Sequence, residues 1–178
     1  MAQNSASILS KSIDYHDPQG VWPKFQATLD ITLQMPEGPS RHSMVTIDKP
    51  NQFFRLVEIK GNTSIERQLD KGDCKISLNG KSEFTQEEKE KHKLTCDRTK
   101  MYRDYYTYLY GLPMKLEDEG AQLDSLAPLT KFQDKEYYRL KVTYAGEVGS
   151  DIWYFYINPT NYALEAYQFY HDESANDG

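Results

Sequence analysis

In "KFQATLDITLQM", Lys24 to Met35, every second residue is apolar. Phe25, Ala27, Leu29, Ile31, Leu33 and Met35 fall on one side, and Gln26, Thr28, Asp30, Thr32 and Gln34 on the other. A period of two sustained this long predicts a β-strand with one face covered and one in water. Twelve extended residues reach about 40 Å, roughly twice the usual strand length. Such a strand predicts a large, strongly curved sheet.

Short turn signals then repeat. "PEGPS" is a hairpin loop, and Arg41 to Asp48 returns antiparallel. "KPNQ", "GN" and "KGD" separate further strands at Phe53 to Lys60, Thr63 to Leu69 and Cys74 to Leu78, giving a meander. Before the long strand, Ser5 to Tyr15 carries Ile8, Leu9 and Ile13 at helical spacing, with Ser5 as the expected N-cap and "DPQG" as the stop. After the meander, Thr85 to Lys93 reads as a polar helix capped by Thr85. "KLEDEGAQLDSLAP" reads as mostly loop. Three strands follow, Glu136 to Tyr144, Asp151 to Ile157 and Ala163 to His171, with "NPTN" as the last hairpin turn. The predicted order is helix, five strands, two helices, three strands. This is an α+β chain with a curved antiparallel sheet wrapped around helices, a single domain over 5–171 with a polar tail at 172–178.

The second of the two middle helices is the unusual one. "RTKMYRDYYTYLYGLPMKL" holds five tyrosines between Tyr102 and Tyr110. On a helix, Met101, Tyr105, Tyr108, Leu109 and Leu112 share one face, and Tyr102, Tyr106 and Tyr110 widen it. Gly111 suits a left-handed C-cap, and Pro113 bars continuation. An apolar arc this wide suits a helix laid across a concave sheet, its rings packed as core or lining a cavity.

At 178 residues and 38% hydrophobic content, the chain is long enough to bury a core without metals. Its formal net charge of −6, with 21 basic residues scattered among 27 acidic ones, lacks the basic stripe of a nucleic-acid binder. No apolar run approaches the ~20 residues of a membrane span. "AQ" after Met1 resembles the start left by signal-peptide cleavage. Cys74 opens a strand and Cys96 leaves a helix; a disulfide between them is predicted, against the alternative of two reduced thiols, and would stabilise by about 3 kcal/mol.

Motifs of chemistry are weak. His16 in "YHDP" stands beside Asp17 but suits a helix C-terminus better than an acid/base pair. His92 lacks HExxH spacing, "EDEG" at Glu117 lacks the repeating oxygen ligands of a calcium loop, and His42 has no acidic neighbour in sequence. His171 and Asp172 read as solvent-facing. GxSxG, GxGxxG and GKS/T patterns are absent. No catalytic residue, metal or cofactor is expected.

"KSIDYHDPQGVW", "DKGDCKISLNG", "YYTYLYGLPMKL" and "VGSDIWYFYINPTNYALEAYQFYH" resemble an uncharacterised family of secreted bacterial proteins. That family is similar in fold to the LolA/LolB lipoprotein carriers, whose open half-barrel shelters acyl chains. The resemblance runs from Ile8 to His171. Family members continue past the position of Gly178, so it also implies missing C-terminal strands and an unpaired edge after "YQFYH". With the long strands and aromatic helix, it implies a non-catalytic protein of the periplasm or outer-membrane surface. The expected ligand is a hydrophobic small molecule or a lipid or lipoprotein acyl chain. It would lie between sheet and helices, lined by Phe25, Leu29, Leu33, Phe54, Leu56, Tyr105, Leu109, Trp153 and Phe155. The alternatives are a protein-interaction module with a filled core and, behind it, a hydrolase assembled from distant strands.

Overall fold

The computed structural model describes residues 2–144, 151–175 and 177. The elements are β1 (Gln3–Asn4), α1 (Ser5–His16), β2 (Gln26–Leu33), β3 (Arg41–Asp48), β4 (Phe53–Lys60), β5 (Thr63–Asp70) and β6 (Asp73–Leu78), then α2 (Gln86–Lys91) and α3 (Cys96–Tyr110). After α3 come β7 (Ala121–Leu123), β8 (Leu126–Ala127), β9 (Leu129–Phe132), β10 (Lys135–Tyr144), β11 (Ile152–Ile157) and β12 (Leu164–Tyr170). The chain is α+β, and its sheets are antiparallel. It forms two compact units: Val21–Tyr110, and Met1–Gly20 with Gly111–Gly178.

The Val21–Tyr110 unit holds the expected meander, in the order β2-β3-β4-β5-β6. The turn between β5 and β6 puts Lys71 and Gly72 at φ of 50° and 95°, the left-handed pair that a two-residue hairpin needs. The first strand is shorter than its alternation predicts, eight residues instead of twelve. Trp22–Lys24 is a 3-10 turn instead, with Pro23 inside it, and a proline cannot donate to a ladder. Thr85 caps α2 through a reciprocal capping box with Glu88.

Cys74 and Cys96 are bonded, with Cα atoms 5.9 Å apart, inside the range a disulfide spans without distortion. Cys96 does not leave a helix; it is the first residue of α3. Thr95 Oγ1 caps that helix by accepting from the Arg98 N–H at 3.2 Å. At the other end Gly111 does not adopt positive φ; it is buried, and the chain turns through a cis Leu112–Pro113 peptide.

In the other unit, a five-stranded sheet has the path β12-β11-β10-β7, with β9 also on β10. The stretch read as mostly loop after α3, Lys115 to Pro128, contains β7 and β8, and β9 follows it directly; β7 and β9 pair along one edge of β10. α1 starts at Ser5, and its N-cap is Asn4, whose side chain accepts from the Ser7 N–H at 3.0 Å. Ser5 is buried instead. β11 reads "IWYFYI", and Tyr154, Phe155, Tyr156 and Ile157 are all buried. A strand buried on both faces has a continuous apolar run rather than an alternating one. Of the polar tail, residues 172–175 and 177 are described. Glu173 there accepts a hydrogen bond from the Tyr154 hydroxyl and pairs with Lys141 at 3.3 Å.

Candidate functional site

The registers of β2 to β6 set the inner face of the meander in rows. Ala27, Ile47, Phe54, Leu69 and Cys74 form one row, and Leu29, Val45, Leu56, Arg67 and Ile76 the next. Then come Ile31, Ser43, Glu58, Ile65 and Leu78, and last Leu33, Arg41, Lys60 and Thr63. The face therefore passes from wholly apolar to charged along the strands.

α3 lies on this face. Tyr106 packs into the cluster of Val45, Ile47, Phe54, Leu56 and Leu69 and is 4% exposed. Tyr102, Tyr106 and Tyr110 form a stacked series, with centroids 6.3 Å apart at each step. Met101 and Tyr105, assigned from periodicity to the packed face, are exposed instead, at 38% and 53%. The disulfide explains the rotation. Cys74 projects from the inner face, so Cys96 must point at it. At 100° per residue, Thr99, Tyr106 and Tyr110 then follow on that side, and Met101 and Tyr105 fall opposite.

Where the face turns charged, the strands and the α2–α3 connection border a groove of about 380 Å³. Arg67 lies at its base, 1% exposed. Its two terminal nitrogens donate to the carbonyls of His92 (2.9 Å) and Lys93 (3.1 Å), filling acceptors that the end of α2 leaves open. Its Nε has no hydrogen-bond partner, and the nearest carboxylate oxygen, of Glu58, is 3.9 Å away. Glu58 is also the partner of Arg41, at 3.6 Å. Arg98 donates to Met101 Sδ and lies 4.9 Å from the Tyr102 ring centre. It makes no ion pair among the described residues. Burial pulls the Arg67 guanidinium below its ordinary range, with Glu58 acting against that. Burial pushes the Tyr106 phenol up, and Arg41 opposes it.

Among the nine expected lining residues, seven belong to the Val21–Tyr110 unit. Phe54 and Leu56 are fully buried beneath α3, Phe25, Leu29 and Leu109 are half-buried, and Leu33 and Tyr105 are open to solvent. Trp153 and Phe155 belong to the other unit, where their rings stack at 5.9 Å; Phe155 is fully buried. Along the apolar rows under α3, Tyr106 packs against Val45, Ile47, Phe54, Leu56 and Leu69. Arg41, Glu58, Arg67 and Arg98 were missed from sequence. The signal was present: Arg67 stands between Ile65 and Leu69, and Glu58 follows Leu56, each at an inward position of an alternating strand.

The histidines occupy defined places. His16 Nε2 accepts from the Leu164 N–H at 2.9 Å, and burial lowers its pKa. His42 does have an acidic partner, Asp30 on the neighbouring strand, at 2.5 Å. His171 pairs with Asp151 at 2.6 Å, which raises its pKa. Asp118 in the acidic turn contacts Lys115. Among the described residues no cluster of three or more metal-ligating side chains occurs, and no helix is long and apolar enough to cross a membrane.

No curated protein and no solved structure matches the chain. A family model does, described as a family of unknown function, DUF6503, and it matches residues 1–177. On that near-complete coverage the chain belongs to the DUF6503 family.

Proposed function

We propose that this protein is a non-catalytic envelope protein that binds a lipid-like ligand through its Val21–Tyr110 unit. In this reading it acts in the manner of the LolA/LolB carriers, and it works in the periplasm or at the outer membrane. The observation that carries the reading is the graded inner face of the meander. Its apolar rows are closed by Tyr106, while its last row sets exposed Leu33 beside Arg41. Exposed Tyr105 stacks edge-on against Tyr106, 5.3 Å away. An exposed apolar side chain next to a cationic group suits an amphipathic molecule, its chain on Leu33 and its polar end over the groove. The disulfide fits an oxidising compartment.

Native mass spectrometry of freshly purified protein, followed by lipid extraction, tests the reading. A bound species of lipid mass is expected. Protein that carries no lipid and takes up no fluorescent fatty acid would count against it. A protein-interaction module is the second reading. It draws on the filled apolar rows and on Tyr167 and Phe169, which are 45% and 38% exposed beside Trp153.

A further inference from the structure

We propose that the groove over Arg67 is a binding site for a phosphate group, held by Arg41 and Arg98 at its mouth. This deepens the lipid-like reading and rests on it for the rest of the ligand. Six cationic side chains and one carboxylate, Glu58, line the groove among the described residues, in a chain whose net charge is −6. Lys60, Lys91 and Lys93 complete the cationic set. So large a local excess of one sign is self-repelling, and an anion relieves it.

The arginines point the same way. Buried charges are ordinarily paired and hydrogen-bonded. Here the Nε atoms of Arg41, Arg67 and Arg98 are all buried without a hydrogen-bond partner. Glu58 is shared between Arg41 and Arg67 at distances too long for a hydrogen bond to either. Arg98 spends its donor on a thioether. On the outer face of the same sheet an arginine with an available carboxylate closes on it: Arg55 Nε meets Glu66 at 2.6 Å. The arginines of the groove therefore have donor capacity and charge left over.

Phosphate suits this set better than a carboxylate. Its oxygens accept from donors on several sides, and here the cations come from β3, β4, β5 and the α2–α3 segment. Arg67, fixed by the carbonyls of His92 and Lys93, supplies a stationary charge below the anion. The Tyr102 ring and Ile65 give the groove an apolar wall for the carbon next to the phosphate.

The same phosphate chemistry is offered by a lipid headgroup and by a soluble phosphate ester. Calorimetric titrations of the full chain with dihexanoyl phosphatidylglycerol, dihexanoyl phosphatidylcholine and glycerol phosphate separate them. Arg98→Gln and Glu58→Gln, each checked by thermal melting, are titrated alongside. The expected result is tighter binding of the anionic lipid than of the zwitterionic one. Arg98→Gln weakens it by about tenfold, the loss of one charge-assisted hydrogen bond. Glu58→Gln strengthens it, because the one carboxylate among the described lining residues is gone, and added salt weakens it. Equal binding of both lipids, unchanged by either substitution, overturns the phosphate site and leaves the lipid-like reading standing. Glycerol phosphate binding with the same substitution pattern, while neither lipid binds more tightly than it, keeps the site and removes the lipid. Absence of binding in all three titrations overturns the site.

Discussion

The two five-stranded sheets solve the same problem differently. In the β2–β6 meander, residues alternate: the outer face carries pairs such as Gln26–Asp48, Thr28–Thr46 and Arg55–Glu66, and only the inner face is covered. In the sheet of β7, β9, β10, β11 and β12 both faces are aromatic. Tyr137, Tyr154 and Tyr156 cluster with Phe132 on one side, and Trp153, Phe155, Tyr167 and Phe169 stack on the other. Tyrosine hydroxyls on the first of those faces find carboxylates or amides, such as Glu165 for Tyr137 and Gln168 for Tyr156. The aromatic sheet thus resolves its polar groups internally. The meander does not, because it ends its covered face in arginines that share one glutamate. A surplus of unpaired charge at the end of a well-packed face is a stronger pointer to a ligand than the number of aromatic rings.

The largest expected effects probe the two cores. Phe155→Ala in the aromatic sheet and Tyr106→Ala in the meander each remove a buried ring and are expected to cost about 3–5 kcal/mol; denaturant titration reads both. If Tyr106→Ala costs well under that, α3 is not the cover of the apolar rows. Cys74→Ser with Cys96→Ser should destabilise by about 3 kcal/mol on the loop-entropy model. The same pair should also loosen the rotation of α3, seen as increased exchange of the amides near Thr99 and Tyr106.

Smaller effects sharpen the contrast at the edges. Asn4→Ala removes the cap of α1 and Thr85→Ala that of α2, each expected to cost about 1 kcal/mol. The two histidines of the aromatic unit should titrate on opposite sides of the free value. His16, depressed by burial, favours the folded state when neutral. Its contribution is present above pH ~6.5 and is lost as pH falls. His171, raised by Asp151, favours the folded state when charged. Its contribution is present below pH ~6.5 and is lost as pH rises through the folded pKa. Proton NMR of the two imidazoles checks each against the free value; His16 titrating above it, or His171 below it, would refute the corresponding assignment.

The meander was legible because each strand from β3 to β6 is bounded by a short turn with its own chemistry, and alternation supplies the face. β10 and β12 were legible from their alternation, and β11 from its continuous apolar run. β7, β8 and β9 were not, since two to four residues are too few to show a period. The rotation of α3 was also hidden. With tyrosines on every side, periodicity cannot choose a face, and a covalent bond to a distant strand makes the choice. The cationic groove needed register. Arg41, Glu58 and Arg67 are far apart in sequence, yet each stands at an inward position, in successive rows of the same face. Only pairing β3 with β4 and β4 with β5 brings them side by side.

The central claim is that the charged end of the meander's inner face, and not the aromatic sheet, receives the ligand. Amide and side-chain chemical shifts recorded during titration with dihexanoyl phosphatidylglycerol locate the contact directly. The account predicts the largest changes at Arg41, Lys60, Arg98 and Tyr102, with Tyr167 and Phe169 unmoved. Changes concentrated at Trp153, Tyr167 and Phe169, with the arginines silent, would contradict it.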